Sequence, residues 1–146
     1  MNPSDGVHAT LAQQSADAMR VGDAALRFFG VEIDAVSRGR ARGRMTVTAE
    51  MINGHGVAHG SCVFALADIA FSYACNTEGD AAVARQCEIT FLRPAHVGDQ
   101  LVAVAELRSR AGRSGIYDVR VSRGDGEVVA ELRGHSALLA RPGADR

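Results

Sequence analysis

The run Ser61-Cys62-Val63-Phe64-Ala65-Leu66-Ala67-Asp68-Ile69-Ala70-Phe71-Ser72-Tyr73-Ala74-Cys75-Asn76-Thr77 is apolar almost all the way round a helical wheel. A helix of that kind belongs inside a structure rather than on its surface. Gly79 supplies a stop just beyond it. Asp68 is the only charged residue in the run. An ionised carboxylate is costly to bury unless it is paired or hydrogen-bonded. It is therefore a structural aspartate held by hydroxyls or backbone amides, an aspartate lying on an exposed stripe, or a general base or nucleophile facing a closed cleft.

Upstream of this helix, residues 7–29 are rich in Ala, Gln, Leu and Met and favour helix. Gly22 breaks that stretch, Asp23 can cap a second short turn, and Gly30 closes it. From Val31 to Val47 the period changes to two. Val31, Ile33 and Ala35 alternate with Glu32, Asp34 and Val36, and Ala41, Gly43, Met45 and Val47 alternate with arginines and threonines. This predicts two strands joined near Ser37–Gly39. Downstream, strands are predicted over 81–92, 100–110, 116–123 and 127–139, separated by turn signals at 94–99, 111–115 and Gly124-Asp125-Gly126. Tyr117, Val119 and Val121 fall on one face, Asp118 and Arg120 on the other. The order helix, two strands, buried helix, four strands is an α+β layer. A curved antiparallel sheet wrapped around the one long helix buries it on most sides.

At 146 residues, with 47% hydrophobic and 23% charged residues, the chain fits a single domain that needs no metal or disulfide staple. Residues 1–6 and 141–146 have the composition of loose ends. A net charge of −1 and 5% aromatics with no tryptophan give no basis for a nucleic-acid partner. No stretch reaches the roughly 18 apolar residues of a membrane span, and the start lacks the pattern of a signal peptide, so a cytoplasmic protein is expected. Cys62, Cys75 and Cys87 are odd in number, match no zinc spacing and read as reduced, buried thiols.

The loop before the helix, Asn53-Gly54-His55-Gly56-Val57-Ala58-His59-Gly60, is dense in glycine and ends where the helix begins. Free N–H groups at a helix N-terminus favour negative charge, and glycine lets a ligand approach the backbone. That suits an oxyanion hole; a tight turn using glycines for positive φ is the plainer alternative. Gly60 and Asp68 are eight residues apart, roughly 12 Å along an unbroken helix. A catalytic carboxylate must come within about 3 Å of its target, directly or through a water. If both groups serve one carbonyl, two chains must contribute.

The run from Asn53 to Asp68 resembles the signature of hotdog-fold thioesterases, in particular the phenylacetic-acid-degradation branch. Tyr73 to Asn76, Phe91-Leu92-Arg93-Pro94, Gly98-Asp99, Gly115 to Asp118 and Arg133-Gly134 agree with it, and the likeness covers roughly residues 20–140. The resemblance implies the hotdog fold and hydrolysis of an acyl-coenzyme A thioester, with a phenylacetyl-type aryl or a medium-chain acyl group. It implies that Gly60 N–H polarises the carbonyl, that Asn53 holds the carbonyl or the water, and that His59 shapes the loop, bonding Asn53 or the substrate. Asp68 of a partner subunit would be the base or nucleophile. It further implies a homodimer with sheets joined edge to edge, paired into a homotetramer, with coenzyme A along the interface and no metal or bound cofactor. Ser61 stands where the family often has glycine, and suits a helix start. Arg85 stands where relatives often carry a small polar residue, and can reach a coenzyme A phosphate or narrow the acyl pocket. Ser61, Arg85, Arg93 and Arg113 are thus the substrate-contact candidates, with Arg110 beside the last.

Arg38, Arg40, Arg42 and Arg44 recur with period two and would line one strand face. They read as a solvated edge hairpin, or as guanidinium contacts to phosphate. His55 and His59 lack a third metal ligand. Cys62 has no base beside it and reads as an inert thiol. Two other functions fit less of the pattern. One is hotdog hydratase or dehydratase chemistry on enoyl thioesters, which uses a histidine paired with an acid. The other is an acyl-coenzyme A binding or sensing protein without turnover.

Overall fold

The computed structural model describes residues 2–140, and their elements follow the expected order. Helix α1 (Pro3–Gly22) and the short α2 (Ala24–Phe29) precede strands β1 (Glu32–Ser37) and β2 (Arg40–Thr46). A single 3-10 turn (Ala49–Met51) leads through the glycine-rich loop to α3 (Gly60–Cys75). Strands β3 (Ala82–Phe91), β4 (Gln100–Ala111), β5 (Ser114–Arg123) and β6 (Val128–Leu138) complete the fold. All six strands form one antiparallel sheet in the order β1-β2-β4-β5-β6-β3, leaving β1 and β3 at its edges.

The sheet wraps α3. Tyr117, Val119 and Val121 of β5 and Ala41 and Met45 of β2 are buried, as period two requires, and they meet Val63, Leu66, Ala70 and Phe71 of α3 in one core. The outer face is charged, and its charges pair across strands. Arg133 meets Asp118, Arg120 meets Glu131, and Arg40 meets Glu106. A groove of about 720 Å³ on this face is lined by Asp118, Arg120, Glu131 and Arg133, which are paired with one another.

Three local features depart from expectation. Residues 3–6 are the first turn of α1 rather than a loose end, because Pro3 fits the first helical position and Asp5 accepts a hydrogen bond from the Asn2 N–H at 3.3 Å. The expected loose tail at 141–146 lies outside the described residues. In β1 the alternation breaks at Asp34, where the pairing shifts between Ile33 and Ala35. The bulge sets Val36 against the core while Ala35 stands opposite the exposed Arg42. The buried helix runs from Gly60 to Cys75, one residue earlier at its start and two shorter at its end than the apolar run. Thr77 lies beyond it and is buried, accepting from Gly39 N–H at 2.8 Å and donating to the Ala74 carbonyl at 3.2 Å.

The break at Gly22 falls as predicted, and Asp23 does more than cap. One carboxylate oxygen accepts from Leu26 N–H at 3.0 Å. The other accepts from the Tyr73 hydroxyl at 3.1 Å, a buried group of α3 whose pKa burial pushes up to about 12. This ties the helical N-terminus to the core. Asp23→Ala removes the cap, worth about 1 kcal/mol, and orphans a buried hydroxyl at about 1–3 kcal/mol. Urea denaturation is expected to show a combined loss of about 2–4 kcal/mol for Ala and a smaller one for Asp23→Asn, whose one oxygen keeps the cap while its NH₂ donates to the Tyr73 oxygen instead of accepting from it. Equal losses for the two variants would rule out the hydrogen bonds as the cause.

Candidate active site at the start and middle of the buried helix

The loop before α3 is a tight turn built by Asn53. Its side-chain oxygen accepts from His55 N–H at 2.9 Å and Val57 N–H at 3.3 Å, and its own N–H donates to the Val57 carbonyl at 2.8 Å. Gly56, at φ +80°, is the one loop glycine that needs the left-handed region. The turn reading of the glycines therefore holds at Gly56, while the Asn53 amide NH₂ has no partner among the described residues.

His59 is the N-cap of α3, a place usually held by a short polar side chain. Its Nδ1 accepts from Ser61 N–H at 3.1 Å and lies 2.7 Å from the Ser61 hydroxyl. The His59 ring thus bonds Ser61, and no bond from it to Asn53 is present among the described residues. The cap also accounts for the Ser61 side chain. In the first turn, Cys62 and Val63 N–H donate to the His59 carbonyl, at 2.9 and 3.3 Å, and Ser61 N–H is taken by the ring. Gly60 N–H alone in that turn meets no acceptor among the described residues. It opens on a cleft of about 350 Å³ whose lining includes Asn53, Val57, Gly60, Phe91, Arg93 and Val129. Asn53 and Gly60 both line this cleft, and the Asn53 amide and the Gly60 N–H each meet no acceptor among the described residues. That is what a carbonyl oxygen acquiring charge requires.

Asp68 is not in that cleft. The helix between the two is unbroken, so eight residues separate them by roughly 12 Å. Asp68 is half-buried on a stripe of α3 formed with Ser61, Phe64, Ala65 and Ser72, which the sheet leaves partly uncovered. Burial raises its pKa above the usual carboxylate value, and no cation offsets that shift. Its polar neighbour is the Cys87 thiol of β3, which donates to Oδ1 at 4.0 Å. A desolvated carboxyl without a salt bridge is a poor structural element and a stronger base than a solvated one.

The basic candidates sort by partner. Arg93 is bound to Glu127 at 3.1 Å and to the Val128 carbonyl at 2.9 Å. Arg113 clasps the Leu138 carbonyl, and Arg110 bridges Glu78 and the Tyr117 hydroxyl. Arg38, Arg40, Arg42 and Arg44 pair with Glu78, Glu106, Asp34 and Glu32, which supports the solvated-hairpin reading. Arg85, exposed at a bulge in β3, has no ion pair or hydrogen bond among the described residues. Of the cysteines only Cys75 is fully buried, its thiol pushed up to about 12; Cys62 and Cys87 are half-exposed. No group of three or more His, Cys, Asp or Glu able to hold a metal comes together among the described residues. Nor is any described helix long and apolar enough to cross a membrane.

Two residues at the site were not singled out from the sequence. Phe91 lays its ring over Gly60, 3.0 Å from where a Cβ would stand, and Cys87 abuts Asp68. Period two in β3 puts 87, 89 and 91 on one face, but nothing local says that this face meets α3.

The sequence profile of the thioesterase superfamily matches residues 55–130, which include Gly60, Asp68 and most of the sheet. Over 125 residues the chain is 46% identical to the acyl-coenzyme A thioesterase PaaI of Escherichia coli K12, covering 86% of this chain and 89% of that protein. The solved structure of the E. coli PaaI protein, from the phenylacetic acid degradation operon, superposes with a TM-score of 0.89 at 43% identity, covering 90% of this chain and 96% of that one. A variant of the phenylacetic acid degradation protein PaaI from Thermus thermophilus superposes with a TM-score of 0.75 at 33% identity, over 78% of this chain and 97% of that one. With its six-stranded antiparallel sheet around one long helix, the chain has the hotdog fold and belongs to the thioesterase superfamily.

Proposed function

We propose that the protein hydrolyses acyl-coenzyme A thioesters to free acid and coenzyme A. The observation that carries this reading is one cleft lined by both Gly60, whose N–H meets no acceptor among the described residues, and Asn53, with the desolvated Asp68 on the same helix. The likeness to an acyl-coenzyme A thioesterase supports it. In the reaction the thioester carbonyl oxygen accepts from Gly60 N–H, which stabilises the negative charge of the tetrahedral intermediate. Asp68 must be ionised to act. As a base it takes a proton from water attacking the carbonyl carbon; as a nucleophile it forms an acyl–carboxylate anhydride that water then cleaves. In either case the C–S bond breaks, and the thiolate leaves and is protonated.

Because one helix cannot bring both groups to one carbonyl, the working unit is a homodimer in which Asp68 comes from the partner; pairing of dimers gives a tetramer. Phenylacetyl-type or medium-chain acyl groups fit an apolar cleft of this size. Arg85, the guanidinium with no protein partner among the described residues, is the candidate for a coenzyme A phosphate. The reaction needs no metal or bound cofactor, and its substrate is a cytoplasmic metabolite.

Free-thiol release from a panel of aryl and aliphatic acyl-coenzyme A esters tests the reading. Turnover is expected, ranked by acyl group. Ester binding without release from any panel member would replace the enzyme with a binder, and water addition to enoyl esters would replace it with a hydratase.

A further inference from the structure

The Gly60 N–H is aimed by the two peptide groups that flank its Cα. The His59 carbonyl and the Gly60 N–H belong to one planar trans peptide. That carbonyl accepts from Cys62 N–H at 2.9 Å and from Val63 N–H at 3.3 Å, so the other side of the plane, the N–H, points out of the start of α3. The next peptide carries the Ser61 N–H, which the His59 ring holds through Nδ1 at 3.1 Å. Between these two planes only the Gly60 dihedrals can turn. The Phe91 ring, 3.0 Å from where a Cβ would stand, favours glycine at this position. Glycine is also the residue with the most backbone freedom to lose. Pinning both peptides removes that freedom before a substrate arrives, as a preorganised oxyanion donor requires.

The chemistry of the cap fits its place. A backbone N–H can only donate, so Nδ1 keeps its lone pair and the ring is the neutral tautomer with its proton on Nε2. The Ser61 hydroxyl, 2.7 Å away, then donates to the same atom. The other two helices begin with acids: Asp5 lies in the first turn of α1, and the Asp23 carboxylate caps α2. Carboxylates suit the positive end of a helix and are among the best caps. The first turn of α3 holds no acid, and its cap is an imidazole. A carboxylate at that cap would sit one peptide from where the oxyanion develops and would repel it.

We infer that His59 is the positioning residue of the oxyanion donor: a neutral N-cap whose carbonyl and ring hold the two peptides beside Gly60 and which sets no negative charge next to the developing oxyanion. This rests on the proposed hydrolysis, in which Gly60 N–H is that donor. It gives His59 a part in the reaction that needs no contact with the substrate, and it gives the Ser61 N–H and hydroxyl the part of anchoring the ring.

His59→Ala, His59→Asn and His59→Asp test it together. Asn and Asp have the same shape, cap helices through a side-chain oxygen, and differ in charge. Thermal melts are expected to place Ala below the wild type, with Asn and Asp both recovering the loss. Turnover is expected to divide them. His59→Ala should lose kcat by about tenfold or more, approaching the roughly 10²–10³-fold effect of a missing oxyanion donor. KM should change little, because the donor acts on charge that appears only in the transition state. His59→Asn should restore kcat about tenfold over Ala, and the equally stable His59→Asp should not. Nitrogen NMR of the wild-type His59 ring is expected to show its proton on Nε2. Recovery of turnover by Asp as well as by Asn overturns the inference, since charge at the cap would then be immaterial. So does an Asn variant as stable as the wild type yet as slow as Ala, which would make the ring itself a substrate contact. A rise in KM with kcat unchanged, or a ring protonated on Nδ1, overturns it as well. Should Ala not fold, the Asn and Asp pair decides alone. A wild type that releases no thiol from any ester sinks the hydrolase and this role of His59 together, whereas an active wild type with Asn and Asp equally slow sinks the role alone.

Discussion

Asp68→Asn is expected to cut thiol release by about 10²–10⁴-fold, the range removed with a general base, while ester binding survives and the folded protein becomes more heat-stable at pH 7. The two effects have one cause. Burial raises the Asp68 pKa above its ordinary value of 3.8, so the fold favours the protonated form. For a raised carboxyl the stabilising contribution is present below the unfolded pKa and is lost as pH rises through the folded one. At neutral pH the ionised group is therefore a net cost to the fold, which asparagine, neutral and of the same shape, removes. The stability gap between variant and wild type should close on acidification below the ordinary carboxylate value. The same pKa sets the acid limb of wild-type kcat/KM, which should fall off at a pH above that of a solvated aspartate. Calorimetry across pH beside the thiol assay reads both. A variant that is less stable than wild type at pH 7 would show that the carboxylate is structural. One that keeps full turnover would remove Asp68 from the chemistry.

Gly134→Ala is expected to cost about 1–3 kcal/mol, the range for overpacking a core, although it adds one methyl group far from the cleft. Gly134 of β6 pairs with Cys87 of β3 on one side and Tyr117 of β5 on the other. A Cβ there would stand 2.7 Å from the Phe71 ring of α3. Phe71 is wholly buried, with Tyr117 at a centroid distance of 5.4 Å, so the ring has no free direction in which to yield. Phe71→Leu should recover part of the loss by making room. Thermal melts of the single and double variants test the idea, and additive losses in the double variant would sink it. Gly60, by contrast, meets the half-exposed Phe91, which can swing outward, so Gly60→Ala should spare stability and narrow the cleft instead.

Much of this architecture was legible in the chain. Asp23 as a cap, Gly30 as a helix stop and the two periods of the strands are short-range signals, and each was found where its residues placed it. Pro3 with Asp5 is the same kind of signal, set within a polar stretch whose composition alone suggests a loose end. The bulge at Asp34 was not legible, because one extra residue in a strand shows only when its partner strand fixes the register. Among the site residues, Asn53, His59, Gly60 and Asp68 could be named because glycine density and a lone acid in an apolar helix are visible in one dimension. The roles of the arginines could not. Arg93, Arg110 and Arg113 look as available as Arg85 in the sequence, yet their acceptors are acids and carbonyls up to 35 residues away.

By itself, then, the sequence determined the element order, the buried helix, its single carboxylate and the loop that opens it. Helical and strand periods, caps and turns depend on neighbours within a few residues. Tertiary structure alone decided that β3 is an edge, that the Gly60 N–H is left without an acceptor among the described residues, that Phe91 and Cys87 flank the two halves of the site, and that Arg85 is the one uncommitted arginine among the described residues. Those follow from which strands lie side by side and which charges meet across them, and such pairings join residues that only the folded chain brings together.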